Sequence, residues 1–182
     1  MKALLIIVLG FFPVLIFAQL KPAYYVTNSY DTVKCQIVAL KDFWGKKTDP
    51  AAFHGRITVE ENGVKKKFKP HEIKSFTVFD SDKLTFKYVS LPEDKKYFVR
   101  MVVEGGDLTL YNFYSFHPYD KSYSPISVFV KEGKQYRVIP IKYKKTIESM
   151  ISDKPEIYAK WKGGEYKNST FEKITLDYNA AK

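Results

Sequence analysis

The residues best equipped for chemistry in this 182-residue sequence are three histidines, one cysteine and the carboxylates near its turns. His54, His71 and His117 stand far apart, so no two form the i, i+2 or i, i+4 pair that a metal-binding strand or helix supplies. His54 follows Phe53, His71 follows Pro70 and His117 precedes Pro118, settings that suit turn residues better than ligands. The chain has no G-x-S-x-G elbow, phosphate-cradling glycine loop or dinucleotide fingerprint. The pairs Gly105-Gly106 and Gly163-Gly164 fit a hairpin and a helix end instead. Glu60, Glu61, Asp80 and Asp82 fall at expected hairpin tips, and spacing alone assembles no acid/base pair from them. The sequence thus implies no cofactor, no metal and no catalytic set. An acid/base pair brought together only by folding remains the alternative.

Charge and aromatics are the next resource. Lys and Arg number 30 against 20 acidic residues, a formal net charge of +10. The basic runs are Lys65, Lys66, Lys67 and Lys69, then Lys142, Lys144 and Lys145, and these are the expected contacts to an anionic surface. Arginine occurs only at Arg56, Arg100 and Arg137, which weighs against nucleic acid, because phosphate recognition draws on the bidentate guanidinium fork. Much of the lysine also suits the solvated side of a sheet and the protection of its edges. The segment Leu110 to Tyr123 is rich in rings. Tyr111 and Phe113 point to one side and Tyr114 and Phe116 to the other, so one set must lie under helices or form a platform for sugar or peptide. Tyr111, Phe113, Tyr119 and Tyr123 are the candidate ligand contacts, the last two exposed in a Pro-bounded loop.

The first residues read as a leader. One charge at Lys2 precedes an unbroken apolar run from Ala3 to Ala18, shorter than a spanning helix and interrupted by Gly10 and Pro13. Residues 1-18 are expected to be a signal peptide cleaved between Ala18 and Gln19, an uncleaved anchor being the alternative. Export follows, to the periplasm, the outer membrane or the medium. The single cysteine, Cys35, then forms no internal disulfide and reads as a buried small hydrophobe or a reactive thiol.

Residues 19-182 have the size of one domain, and hydrophobic residues at 45% supply its core. Period-two alternation predicts about ten short strands, over 24-27, 33-40, 56-60, 64-69, 73-79, 83-90, 98-104, 108-116, 126-130 and 136-139. The Asn62-Gly63 pair supplies the positive φ of a tight hairpin. From about 141 to 180 the period changes. Tyr143, Ile147, Met150 and Ile151 draw a helical stripe. Asp153 and Pro155 open a second helix carrying Ile157 and Trp161, and Ser169-Thr170-Phe171-Glu172 caps a third with Phe171, Ile174 and Tyr178 buried. The expected class is α+β, an antiparallel β meander followed by two or three helices packed on the sheet. The loop from Lys41 to Gly55, with Trp44, is expected to be pinned by its aromatics.

The segment from Tyr24 to Ile37 resembles the opening of a family of small exported proteins from Bacteroidetes-type bacteria, which begin with a strand and a G-D-T-V-x-G-x-I hairpin. Asp31, Thr32, Val33 and Ile37 match, Trp44 and Pro50 suit the loop that follows, and Glu61 to Phe76 suits the next hairpin. Lys154-Pro155-Glu156 and Asp177-Tyr178-Asn179 are similar to the family's helical tail. Tyr30 and Cys35 stand where glycines are usual, which implies a looser first hairpin. The resemblance implies export and no assigned activity. Asp31-Thr32-Val33 also looks like the O-glycosylation sequence of such bacteria, with Thr32 as acceptor, although a turn leading into a strand explains the same residues. The functional expectation is a non-enzymatic binding module of the cell envelope, its partner a glycan, an envelope protein or an anionic surface. The alternative is an envelope hydrolase using loop carboxylates and a loop histidine.

Overall fold

The computed structural model describes residues 18–40, 48–81, 84–92, 95–167 and 170–181. Residues 1–17, which hold all of the expected leader but Ala18, and Trp44, Asp82 and Ser169 lie outside the described residues. The fold is α+β, a ten-stranded antiparallel sheet followed by three helices. The strands are β1 (Ala18–Thr27), β2 (Thr32–Leu40), β3 (Ile57–Glu61), β4 (Val64–Phe68), β5 (Ile73–Ser81), β6 (Leu84–Ser90), β7 (Phe98–Val103), β8 (Leu108–His117), β9 (Ser122–Lys131) and β10 (Lys134–Arg137). The helices are α1 (Tyr143–Ile151), α2 (Pro155–Lys162) and α3 (Phe171–Ala180).

Hairpins follow the turn chemistry. Asn62 at φ 50° and Gly63 at φ 79° join β3 to β4. Tyr30 also adopts positive φ, 71°, and the first hairpin closes through the Thr27 N–H donating to Asp31 O at 2.9 Å. The Lys74 ammonium sits 3.6 Å from the centre of the Tyr30 ring and helps hold that conformation.

The strand order is β10-β9-β8-β7-β6-β5-β1-β2-β3-β4, so the sheet is two meanders joined by β1 against β5 rather than one. Chain reach explains its shape. Laid flat, β4 and β5 would lie about 19 Å apart, four strand spacings. The five steps from Phe68 to Ile73 span at most about 17 Å. This end of the sheet therefore curls toward closure, and the rings of Tyr25 on β1 and Phe68 on β4 meet at 4.9 Å. Inside the curl sits Phe53, 1% exposed, delivered by a 3-10 turn over Pro50–Phe53 that Asp49 caps. Its ring packs edge-on against Phe76 at 5.7 Å and Tyr88 at 5.4 Å.

The same concave face carries a cross-strand row, Tyr25–Phe76–Tyr88–Arg100–Asn112–Ser127. It runs from apolar to polar, and its polar half, Arg100–Asn112–Ser127, lies between two cores. One is the curled end, with Ile37, Val59, Phe76 and Phe98. The other lies where the helices cover Val103, Leu108, Leu110 and Phe129 with Ile147, Met150, Ile157, Ile174 and Tyr178.

Further sequence expectations need correction. β9 starts at Ser122 rather than Ile126, so Tyr123 pairs with Phe116 within a strand and is not a loop residue. β1 starts at Ala18 rather than Tyr24, because Lys21, which breaks the apolar pattern, turns inward to Asp80 at 3.2 Å. Asp80 lies within β5 rather than at a tip, and accepts a hydrogen bond from buried Thr48 as well. The Lys21–Asp80–Thr48 group closes one end of the curl.

Candidate functional site

The ring-rich hairpin splits as its alternation requires, but the covering is different from that expected. Leu108, Leu110 and Tyr114 are buried on the concave side, with helices over the first two. Phe113, on the opposite side, is covered by the loop residues His54 and Tyr97 and by Arg137 at the end of β10. His54 meets its ring edge-on at 4.8 Å, Tyr97 lies stacked on His54 at 4.2 Å, and the Arg137 guanidinium sits 4.8 Å from the Phe113 ring centre. His54 is buried among these rings, held by its carbonyl accepting from the Phe98 N–H at 2.8 Å. Tyr111 is half-buried, and burial chiefly pushes its phenol up. Tyr119 and Tyr123 are exposed, with Tyr123 against Phe116 at 5.2 Å. Phe113 and Tyr123 both meet the His54 ring, Tyr123 at 6.3 Å, but fully exposed Tyr119 does not join them, so the four candidate contacts do not form one platform.

The basic runs do not converge either. Lys65, Lys66, Lys67 and Lys69 lie on or beside β4, one edge of the sheet, whereas Lys142, Lys144 and Lys145 follow β10, the other edge. Lys66 is engaged by Glu61 at 2.6 Å. Thr32 is exposed at the start of β2. His71 and His117 are exposed, and the depression of about 290 Å³ beside His71 has no carboxylate in its lining. Among the described residues no three His, Cys, Asp or Glu side chains converge as a metal site would require.

A site does form where the three helices meet. Tyr143, Lys144 and Glu148 from α1, Trp161 and Lys162 from α2, and Gly164, Tyr166, Lys167, Phe171 and Ile174 line a groove of about 550 Å³. That volume suits a small ligand. Local sequence builds each wall. Tyr143 and Ile147 are one turn apart, so burial of Ile147 sets Tyr143 at the groove rim. Gly163 caps α2, and Gly164, at φ 81°, reverses the chain so that Tyr166 folds under it. Tyr166 is buried, and its hydroxyl donates to Asp177 at 2.9 Å, tying the floor to α3. Thr170 accepts from the Lys173 N–H, starts α3 and so places Phe171.

Trp161 stands near perpendicular to Tyr143, ring centres 6.4 Å apart. Its indole N–H donates to Glu148 Oε1 at 3.4 Å, and Lys162 Nζ reaches the same oxygen at 2.7 Å. Lys162 above all holds the Glu148 carboxyl below its usual range; desolvation opposes it, and the Trp161 bond adds to the lowering. Glu148 is therefore an ionised acceptor, not a proton donor, at neutral pH. Three lysines against one glutamate leave the groove positive. The sequence pattern puts Trp161 with Ile157 on the second helix, where it is found, partly buried against the helix-covered core. Its spacing from Ile157 is helical, but the neighbours that make it a groove wall come from α1, far from it in sequence.

Comparison with protein-family models, with curated proteins and with solved structures gave no match to this chain. Among the described residues no helix is long and apolar enough to cross a membrane.

Proposed function

We propose that this is an exported binding module of the cell envelope whose site is the groove between the helices, and that its ligand is a short acidic glycan. The observation that carries this reading is the placing of Trp161 and Tyr143 at right angles above a carboxylate acceptor, within a lysine-rimmed groove. A sugar presents an apolar ring face for the aromatic walls and hydroxyls for Glu148. Lys144, Lys162 and Lys167 add attraction for carboxylate or sulfate groups on that sugar. Glu148 is ionised and is the one carboxylate in the groove's lining, which supports binding over acid/base hydrolysis, because a glycosidase needs a second carboxyl kept protonated beside it.

Titration calorimetry with a uronic-acid oligosaccharide and its neutral counterpart tests the assignment. The acidic ligand should bind more tightly, lose affinity as salt rises and lose at least about tenfold in Trp161→Ala. Equal affinity for both ligands, or binding untouched by Trp161→Ala, overturns it.

A further inference from the structure

From the end of β10 into the first turn of α1 the chain exposes seven consecutive residues, Ile139 to Lys145. A single exposed aliphatic residue on a protein surface needs no explanation. This segment is patterned. Ile139 is 51% exposed, Ile141 92% and Tyr143 37%, at alternate positions, with Lys142, Lys144 and Lys145 interleaved. No acidic residue occurs between Gly133 and Ile147.

The segment is also held in shape before any partner arrives. Val138 is buried and its N–H donates to Ser127 O at 2.9 Å. Pro140 opens a 3-10 turn that closes with Lys142 N–H donating to Ile139 O at 2.9 Å. Behind it, Ile126, Val138, Pro140, Tyr143 and Phe171 line an apolar depression of about 280 Å³. A stiff turn that presents branched aliphatic tips, a tyrosine and a collar of lysines has the composition of a lipid-facing surface. Aliphatic groups enter the acyl region, tyrosine suits the headgroup level and lysines meet lipid phosphates. A protein partner of opposite charge would satisfy the lysines, but the isoleucine tips standing among them favour a layered partner, apolar beneath and anionic on top.

We infer that Ile139–Lys145 is a membrane-contact turn for anionic phospholipid. Ile139 and Ile141 sink below the headgroups, and Lys142, Lys144 and Lys145 engage the phosphates. The inference stands apart from the glycan reading, although Tyr143 and Lys144 belong to both surfaces.

The test places an environment-sensitive fluorophore on one cysteine of the full chain in a Cys35→Ser background, at Ile141→Cys or, as control, at Tyr119→Cys. Tyr119 is fully exposed at the β8–β9 tip. Both proteins carry the same apolar N-terminal run, so its contribution cancels between them. With vesicles of phosphatidylglycerol and phosphatidylcholine, the probe at 141 should brighten about threefold or more and be quenched by nitroxide-labelled acyl chains, while that at 119 should not. The response should fall steeply with salt. Adding Ile139→Ser to the Ile141→Cys protein should weaken vesicle binding several-fold, whereas Trp161→Ala should leave it intact, which separates this reading from the groove. No response at 141 at low salt, an equal response at 119, or an equal response on phosphatidylcholine alone overturns the inference.

Discussion

Asn179 fills the space that a β-carbon on Gly106 would need. Its side-chain amide donates to Gly105 O at 2.9 Å and Leu108 O at 2.7 Å, and accepts from the Leu108 N–H at 2.9 Å. A Cβ on Gly106 would sit 2.6 Å from the Asn179 oxygen, and Gly106 already has φ 76°. The last turn of α3 thus locks the β7–β8 hairpin.

Asn179→Ala should cost about 2 kcal/mol, because it strands backbone groups at a turn beside fully buried Leu108. Gly106→Ala should cost a similar amount through strain and overlap. In the double variant the overlap is gone, so its cost should fall short of the sum by about 1 kcal/mol or more. Urea denaturation of the four proteins measures the cycle.

Phe53→Ala should destabilise by about 3–5 kcal/mol, since it empties the middle of the curled end. Phe53→Leu should recover roughly half. Binding of a hydrophobic dye by Phe53→Ala below its unfolding midpoint would report that the curl has opened.

The ion pairs set the acid limb of stability. Bonds from Lys66 and then Tyr25 hold Glu61 below its ordinary 4.5. At Asp177, Lys173 acts first and Tyr166 adds to it. Burial pushes Asp153 up, but the bonds from Lys131 and Tyr178 outweigh it and leave it below 3.8. Carboxylates depressed by folding stabilise fully above their unfolded values, and that contribution fades as pH falls through the folded ones. Thermal midpoints should therefore be flat from pH 7 to about 5 and fall below, with Glu61→Gln flattening part of the slope. On the alkaline side burial first, then Glu61, raises the Tyr25 phenol to about 12. Its contribution is complete below 10 and fades as pH rises from 10 toward 12, so stability should drop there too.

Cys35 should behave as an inert thiol. Burial first, then the Glu61 charge, push it from 9.0 up to about 11. At pH 8 its thiolate fraction is about a hundredfold below that of the unfolded chain. A disulfide-exchange reagent should modify it at least about thirtyfold more slowly in the folded protein than in urea.

The local steps of the fold were legible because each depends on residues close in sequence. Asn62-Gly63 marks its hairpin, Ile147, Met150 and Ile151 mark α1, and Thr170 marks the start of α3. The sheet order was not legible, because joining β1 to β5 depends on the curl, and the curl depends on Phe53 and Phe68 meeting partners far along the chain. Lys21 and Asp80 misled for the same reason. Each charge looks external until the other neutralises it. The groove was half visible, since Lys144 stood out in a basic run, but Glu148 gains its meaning only from Trp161 and Lys162 on the next helix.

The polar stretch Arg100–Asn112–Ser127 has a mechanical meaning. The hydrogen-bonded ladder runs unbroken across all ten strands, yet the greasy filling beneath it is interrupted along this line. Arg100 rests on the Phe86 ring at 4.6 Å, and Ser127 touches Asn112 only loosely, at 3.5 Å. The line is a seam between two separately filled interiors under one continuous sheet. Damage to one filling stops there, so the costs of a substitution in the curled end and another under the helices should add.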